Sequence, residues 1–517
     1  MQTARNERAT GPLQSEPALL TDDQRGSLRH IFNLAEQLPD DWSRMLGRTT
    51  MQEDFGALRF QLAYMAYAAA LTHIHRLPAA PGLFRKPLEL LIEKIKSPDV
   101  WTYWHYVSTG NAPMNASLGE LPPEWNPIKK DNIMYSAYLQ SMALLYHYLF
   151  DDDRYARDGA LTLTLRPLFW GKGPSHFVYD ENSLNEHIYW EMVENGYLGV
   201  ACEPNCIFQI CNQVPILGFR LHDMIYGGDR AREVTDGYRQ AWSEFGIVTE
   251  TDHYNVFVLE KEHTVVGKAS AWSDFWAGAL MHAWNPGLTE AAYPKQRDCW
   301  VLPGPDGTLW VDQAKSSAFA ANGLPSSLDF GWAAVCASEM GDERTLQGLL
   351  AFADKYLHRS WDKGGLFHRR HDIMYDEEGR LTGVDPHTGN ALLPYARLNI
   401  PGGLRKLYEG AWDKTHFSEP AIVDIGGRFD LAAAAYDRQR NSLEWVAVPI
   451  GKTGAVRIEI SNLRNRGELR LRIDGTVAAI IAGEIVSSSN AGLSVRWTEE
   501  RLTVEMPLER LTNFSLS

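Results

Sequence analysis

Apolar residues recur at three- and four-residue spacing along most of this chain, starting with a long stretch over residues 52–75 that Pro78 stops. The same periodicity predicts helices over 86–96, 131–150, 184–194, 208–225 and 230–245, with Gly and Pro punctuating the gaps. More follow over 271–284, 327–340, 344–357 and 402–410. With the segments between them they make roughly a dozen helices in antiparallel-looking pairs, a number that can close a ring.

The connections are long and aromatic, notably 101–125 and 167–189, longer than chain reversal requires. Long loops of this kind commonly build sites. From about Glu419 the texture changes to alternating apolar and polar residues, as in Val456-Arg457-Ile458-Glu459-Ile460 and Leu502-Thr503-Val504-Glu505-Met506, separated by Gly and Asn turns. The expected organisation is a flexible arm over 1–20, a mainly helical (α/α)6 barrel over 21–415, and a small antiparallel β-sandwich-like module over 416–517.

Composition narrows the function classes. At 517 residues, 44% hydrophobic and 22% charged, the chain is an ordinary globular protein that can bury a large core. Its net charge is −15, and no lysine-arginine block could track a phosphate backbone, so no nucleic-acid partner is expected. The polar N-terminus lacks the apolar stretch of a secretory signal, and even 60–74 carries Gln61, Thr72 and His73, so neither export nor a membrane span is expected. Five cysteines, three of them within residues 202–211, fit reduced thiols in a cytoplasm. A homo-oligomer is compatible with all of this.

The segment from Gly199 to Asn212 is the most informative: Cys202 precedes a Pro-interrupted turn, and Cys211 is read on the helix that follows. A thiol of ordinary pKa, near ~8.5, can give or take a proton, or attack a cation as thiolate. Glu203 and Asn212 stand where they can tune it. The competing reading is small buried cysteines packing helices. A zinc site lacks a second Cys or His pair at ligand spacing.

A second constellation places Met134 and Tyr138 four apart on one helical face. Aromatic residues crowd 100–106, including Trp104, and Trp272 and Trp276 repeat the four-residue spacing. Such rings stabilise cationic transition states, although aromatic stripes also simply fill cores. His73 with His75, and His368 with His371, lack an acidic partner pair, so they are read as surface histidines and neither metal nor cofactor is expected.

The succession Asp99-Val100-Trp101, Lys130-Asp131-Asn132-Ile133-Met134-Tyr135, Asp152-Asp153-Arg154-Tyr155, Gly199-Val200-Ala201-Cys202-Glu203-Pro204-Asn205 and Phe208-Gln209-Ile210-Cys211-Asn212 resembles the linalool dehydratase-isomerase family over about residues 30–345. That resemblance implies an (α/α)6 barrel holding an apolar terpene alcohol, in which two cysteines, an aspartate, tyrosines and a histidine move protons and hydroxyl without cofactor. Carried onto this chain, the cysteines are Cys202 and Cys211, the following glutamate Glu203, the pocket methionine Met134 and a pocket phenylalanine Phe208. The family's histidine position is Tyr138 here, the tyrosine of the first long helix is Phe60, and the aspartate corresponds to Asp41 across an alignment gap. Phe60, Tyr64, Trp104, Trp272 and Trp276 complete the expected substrate wall.

The expected activity is therefore a dehydratase, isomerase or cyclase acting on a small hydrophobic alcohol, with Asp41 or Tyr138 as general acid. An acidic group serving at neutral pH needs burial to raise its pKa. The rival class is a glycoside hydrolase or polysaccharide lyase using Glu186 with Glu191, or Asp252 with Glu260. A non-catalytic binding protein is the third.

Overall fold

The computed structural model describes residues 19–47, 57–110, 117–312 except 168, 170, 172 and 268, and 327–517 except 372, 452–453, 464–466, 483–484, 489–491 and 499–500. The helical part runs α1 (Asp22–Ala35), α2 (Leu58–Arg76), α3 (Pro81–Ile95), α4 (Ile133–Phe150), α5 (Glu181–Glu194), α6 (Gln213–Tyr226) and α7 (Arg230–Trp242). It continues through α8 (Ala271–Met281), α9 (Pro286–Trp300), α10 (Leu328–Met340), α11 (Glu343–Tyr356), α12 (Leu393–Leu398) and α13 (Gly403–Gly410). One π turn, Thr388–Leu392, leads into α12.

Two kinds of helix alternate. Every residue of α4 and of α8 is buried, as are Leu58–Ile74 of α2, and a helix apolar all round has to lie inside the molecule. On α7 only Ala231, Val234, Thr235, Tyr238 and Trp242 are buried, one stripe at helical spacing facing inward. The even-numbered helices α2, α4, α6, α8, α10 and α12 pack each on the next, and α12 packs back on α2 to close a ring. Outside it α3, α5, α7, α9 and α11 each back the inner helix they follow, while α1 backs α12.

The inner helices run in one sense. Tyr64 meets Tyr138 and Tyr67 meets Ser141 between α2 and α4, and Trp276 meets Trp332 while Gly278 lies beside Cys336 between α8 and α10. The first turns of α2, α4, α8 and α10 therefore gather at one mouth of the ring.

Residues 421–516 form two antiparallel sheets. One orders Ala421–Gly426, Gly454–Ser461, Arg501–Leu508 and Ser494–Thr498; the other orders Phe429–Asp437, Ser442–Pro449, Thr512–Leu516, Glu468–Ile473, Thr476–Ala482 and Ile485–Ser488. This part is tied to the ring by backbone: Ile422 N–H donates to Ala79 O (2.8 Å), Ala79 N–H to Ala434 O (3.1 Å) and Leu20 N–H to Ala432 O (2.9 Å). Arg29 adds an ion pair with Asp430. Closest of all is Gly82, where a Cβ would stand 2.2 Å from the Val423 carbonyl carbon. Gly82→Val is expected to lower stability by about 1–3 kcal/mol, the usual cost of overpacking. Gly287→Ala, made where a Cβ meets nothing within 4 Å, should leave urea unfolding unchanged.

Several expectations shift. Three helices, α1, α9 and the 388–398 element, escaped the periodicity reading. Gly26 interrupts the first, Pro294 the second, and a π turn with Gly389 and Pro394 the third. The helix expected over 208–225 begins only at Gln213, so Cys211 sits on the turn before it. The first long helix begins at Leu58; residues 52–56 of the expected span, and 1–18 of the expected arm, lie outside the described residues. His73, His75 and His368 are not surface histidines. His73 Nδ1 and His75 Nε2 bond the Leu77 and Gly403 carbonyls, each at 3.0 Å, and His368 Nε2 meets Asp354 at 3.1 Å.

Candidate functional site

The cysteine segment folds as a tight reversal. Cys202 N–H donates to Cys206 O and Cys206 N–H to Glu203 O, both at 2.9 Å, while Asn205 takes a left-handed φ of 74° that asparagine tolerates. The strand Cys206–Phe208 then pairs with Phe257–Leu259. Asn212 clamps the two limbs: its Oδ1 accepts from Val200 N–H (2.8 Å), and its Nδ2 donates to Val200 O (3.0 Å) and Phe208 O (2.8 Å). Gly199, at φ 137°, is required there, since a Cβ would stand 2.7 Å from the Asn212 amide carbon.

This clamp brings Cys202 and Cys211, both buried, into a thiol–thiol hydrogen bond, with Glu203 bonded to Cys202. The bond to Cys211, burial and the neighbouring Glu203 push the Cys202 thiol well above its ordinary pKa. Burial raises Cys211 as well. The resting thiolate that the sequence left open is thus displaced by a pair of neutral thiols. Burial also raises Glu203 above the usual carboxyl range, partly offset by Arg59, and its buried Oε2 meets no protein partner.

The first turns of α2, α4, α8 and α10 build an aromatic wall, and Cys211 acts electrostatically on the Tyr138 phenol in it. Phe60 stands edge-on to Tyr138 (ring centroids 5.6 Å apart) and Trp276 (5.5 Å). Tyr64 and Tyr138 share a hydroxyl–hydroxyl bond of 2.8 Å, and Trp276 Nε1–H donates to Tyr64 Oη at 2.7 Å. Trp276 stacks on Trp332 at 4.6 Å. Burial pushes the Tyr138 phenol well above its ordinary pKa, with Tyr64 and Cys211 adding to the shift. Tyr138 is therefore an un-ionised hydrogen-bonding group at neutral pH and a weaker acid than a free phenol.

Arg59 joins the wall to the thiols. Its guanidinium lies 4.2 Å from the Phe60 ring centre and 4.4 Å from that of Tyr103, and its charge acts on Cys202, Cys211, Glu203 and His387. Tyr103 Oη–H donates to Asn132 Oδ1 at 2.6 Å. His387 stacks on Phe60 and Tyr64, 5.6 and 5.8 Å between ring centres.

Asp41 is a correction. Its carboxylate is solvated and accepts from Ser43, bonds that hold its pKa below the ordinary value, so it is ionised at neutral pH and cannot serve as the acid. The other expected wall residues are buried. Met134 lies one turn before Tyr138, Phe208 stacks on Phe257 at 4.5 Å, and Trp272 stands edge-on to Trp276 at 6.3 Å. The buried Trp104 keeps an indole N–H without a protein partner.

The carboxylates of the carbohydrate reading are used elsewhere. Glu186 pairs with Arg230 and Asp252 with Lys295, both at half-exposed or exposed positions. Glu191, raised by burial to about 8, sits on the outer helix α5 beside Asp131. Glu260, in the loop after Phe257–Leu259, donates its N–H to Asn205 O at 3.0 Å and does not meet Asp252.

Arg59, Tyr103, Trp332 and His387 were missed from the sequence. Tyr103 lay inside the aromatic cluster at 100–106, but nothing in the pattern set Arg59 apart from a surface charge.

Tyr138→Phe tests the hydroxyl pair. Tyr64 keeps the Trp276 donor in the variant, so turnover should fall about 10- to 1000-fold rather than vanish, within the range for one lost hydrogen-bonding group. Wild-type rates at every pH would make Tyr138 a packing residue.

Known proteins place the chain further. It is similar to the α-1,6-mannanase GH76A from Salegentibacter sp. HEL1_6, at 14% identity over 75% of this chain and 100% of that one, with TM-score 0.41. It is also similar to the unsaturated glucuronyl hydrolase from Bacillus sp. GL1, at 10% identity over 75% and 96%, with TM-score 0.40. Likenesses this remote carry no argument about function. The linalool dehydratase/isomerase family model matches residues 59–374, well over half of the chain and including the aromatic wall of α2, both cysteines and Trp332. With that match, the chain belongs to the linalool dehydratase/isomerase family.

Proposed function

We propose that this protein is a cofactor-independent lyase/isomerase that dehydrates or isomerises a small hydrophobic, allylic or terpenoid-like alcohol. The observation that carries the reading is the meeting of two neutral, hydrogen-bonded thiols and the raised Glu203 carboxyl with an aromatic wall. Residues 21–415 form the catalytic domain in this reading, and 416–517 a sandwich-like module.

Burial outweighs the nearby Arg59 charge and favours the protonated form of Glu203, which serves as the acid in this reading. It gives its proton to the substrate hydroxyl; the C–O bond breaks and water leaves. The faces of Phe60, Tyr138 and Trp276 stabilise the allylic cation. A proton from the adjoining carbon passes to the Glu203 carboxylate through Cys202, which takes one proton as it hands on another, and the C–H electron pair closes the new double bond. The acid is restored, and alcohol has become alkene plus water. Return of water at the far end of the allyl cation transposes the hydroxyl instead, and attack by a remote double bond cyclises the chain.

Thiol mass-labelling of the full-length protein with methyl methanethiolsulfonate at alkaline pH tests this reading. A tertiary allylic alcohol should slow modification of Cys202 and Cys211, and an α-linked oligosaccharide should not. Modification confined to Cys299, or a pair indifferent to every alcohol, would reject it.

A further inference from the structure

Among the described residues, the buried histidines have hydrogen-bond partners, with one exception. His30 Nε2 meets Asn390 Oδ1 at 3.0 Å, His73 bonds the Leu77 carbonyl, His282 bonds Glu339 at 3.0 Å and His368 bonds Asp354. His387 is 1% exposed, and both of its ring nitrogens are shut off from solvent without a hydrogen-bond partner. An imidazole always carries at least one N–H, and leaving its polar atoms bare in an apolar interior is unfavourable.

Its position is nonetheless tightly set, by the backbone rather than by the ring. The Asp385 carboxylate accepts from Ser327 N–H (3.0 Å), Ser327 Oγ–H (2.6 Å) and Thr388 N–H (2.8 Å), fixing the turn on which His387 stands. Gly389 lets that turn press on its neighbour, since a Cβ there would stand 2.2 Å from His368 O. The ring itself stacks on Phe60 and Tyr64 and stands steeply inclined to Trp276 (6.3 Å) and Trp332 (6.4 Å). It is held in the aromatic wall with both nitrogens unused.

Two bare nitrogens of a neutral imidazole are one donor and one acceptor. A hydroxyl can meet either nitrogen, accepting from the N–H or donating to the bare nitrogen, whereas a carbonyl offers only acceptance and an ammonium only donation. Burial holds the imidazole down to about 4, with Arg59 lowering it further and Asp385 opposing, so the ring stays neutral at physiological pH. The titratable side chains packed closest are the phenol of Tyr64 and, beyond Phe60, that of Tyr138, both un-ionised there. The charge of Arg59, whose guanidinium lies over the Phe60 ring that His387 stacks on, acts on both His387 and Glu203.

We propose that His387 is the hydroxyl-binding residue of this site, holding the alcohol oxygen by an imidazole hydrogen bond so that its free lone pair faces the Glu203 proton. The assignment rests on the alcohol chemistry proposed above and deepens it. His387 comes from the last inner element, beyond the 59–374 span that matches the family.

The test uses the full-length protein and two probes of one shape, 2-methylbut-3-en-2-ol and 3,3-dimethylbut-1-ene, in which methyl replaces hydroxyl. The wild type should bind the alcohol at least about 10-fold more tightly, the discrimination that one satisfied buried polar group supports. His387→Phe should erase that preference while still binding the hydrocarbon, and His387→Asn, which keeps a donor and an acceptor, should restore part of it. Imidazole NMR of histidine-labelled wild type needs no variant to fold: one buried ring, absent from the His387→Asn spectrum, should shift with the alcohol and not with the hydrocarbon. An alcohol preference that survives His387→Phe, or histidine spectra blind to an alcohol that does bind, overturns the proposal and leaves the thiol chemistry standing. If wild type prefers the alcohol through His387 but never converts any alcohol, the dehydratase reading fails and the binding role remains.

Discussion

Cys202→Ala and Cys211→Ala should each lower turnover by about 10²- to 10⁴-fold, the span expected when a positioned proton-transfer group is lost. Stability should barely respond. Each change removes one sulfur atom from a packed interior, comparable to deleting a single methyl-sized group at about 1 kcal/mol, and leaves the Asn212 clamp intact because those bonds are made by backbone carbonyls and amides. The two losses should not add. The thiols are hydrogen-bonded to each other, so in the proposed mechanism Cys211 positions the Cys202 relay, and the double variant should be little worse than the poorer single one. Two full and independent losses would mean that the sulfurs act separately.

Glu203→Gln should be the most damaging conservative change, with turnover down about 10³-fold or more, since an amide fills the same space and cannot give a proton. The pH dependence has a definite sign. Burial raises the Glu203 pKa in the folded protein, so the competent acid form is present on the low-pH side and wild-type turnover should decline as pH rises through that raised value. Stability follows the same linkage. A carboxyl whose folded pKa exceeds its unfolded one binds its proton more tightly when folded, so its contribution is full below the unfolded value near 4.5 and fades as pH rises through the folded one. At pH 8 Glu203→Gln should therefore be as stable as wild type or more so. A variant that loses turnover only by unfolding would point to Glu203 as a structural residue.

How far the sequence disclosed this site follows from what each residue depends on. Cys202, Glu203 and Cys211 were readable because they sit within ten positions of one another, where local turn chemistry brings them together. Phe60, Tyr64, Tyr138 and Trp276 were readable because helical spacing assigns them to faces, and α2, α4 and α8 are too apolar to lie anywhere but inside. Ionisation was out of reach. Asp41 and Glu203 look alike in a string of letters, yet one is solvated beside Ser43 and the other enclosed, so their pKa values move in opposite directions. The thiols moved up through their bond to each other, for Cys202, and through a burial that no spacing expresses. Arg59 was hidden because a single charged letter in an apolar helix reads as a solvent-facing position, whereas its guanidinium lies between two aromatic rings. His387 was hidden because its element is a π turn and six helical residues, too short and too interrupted to register as a period.

The measurement that bears most directly on the chemistry is product analysis by gas chromatography and mass spectrometry after the chelator-treated, full-length protein is incubated with a panel of tertiary allylic alcohols, linalool among them. The account predicts loss of water to a conjugated alkene, or transposition of the hydroxyl, with at least one alcohol, without added cofactor, and missing in Glu203→Gln. Alcohols returned unchanged by a folded protein that instead cleaves an α-linked oligosaccharide, with Cys202→Ala as active as wild type, would contradict it.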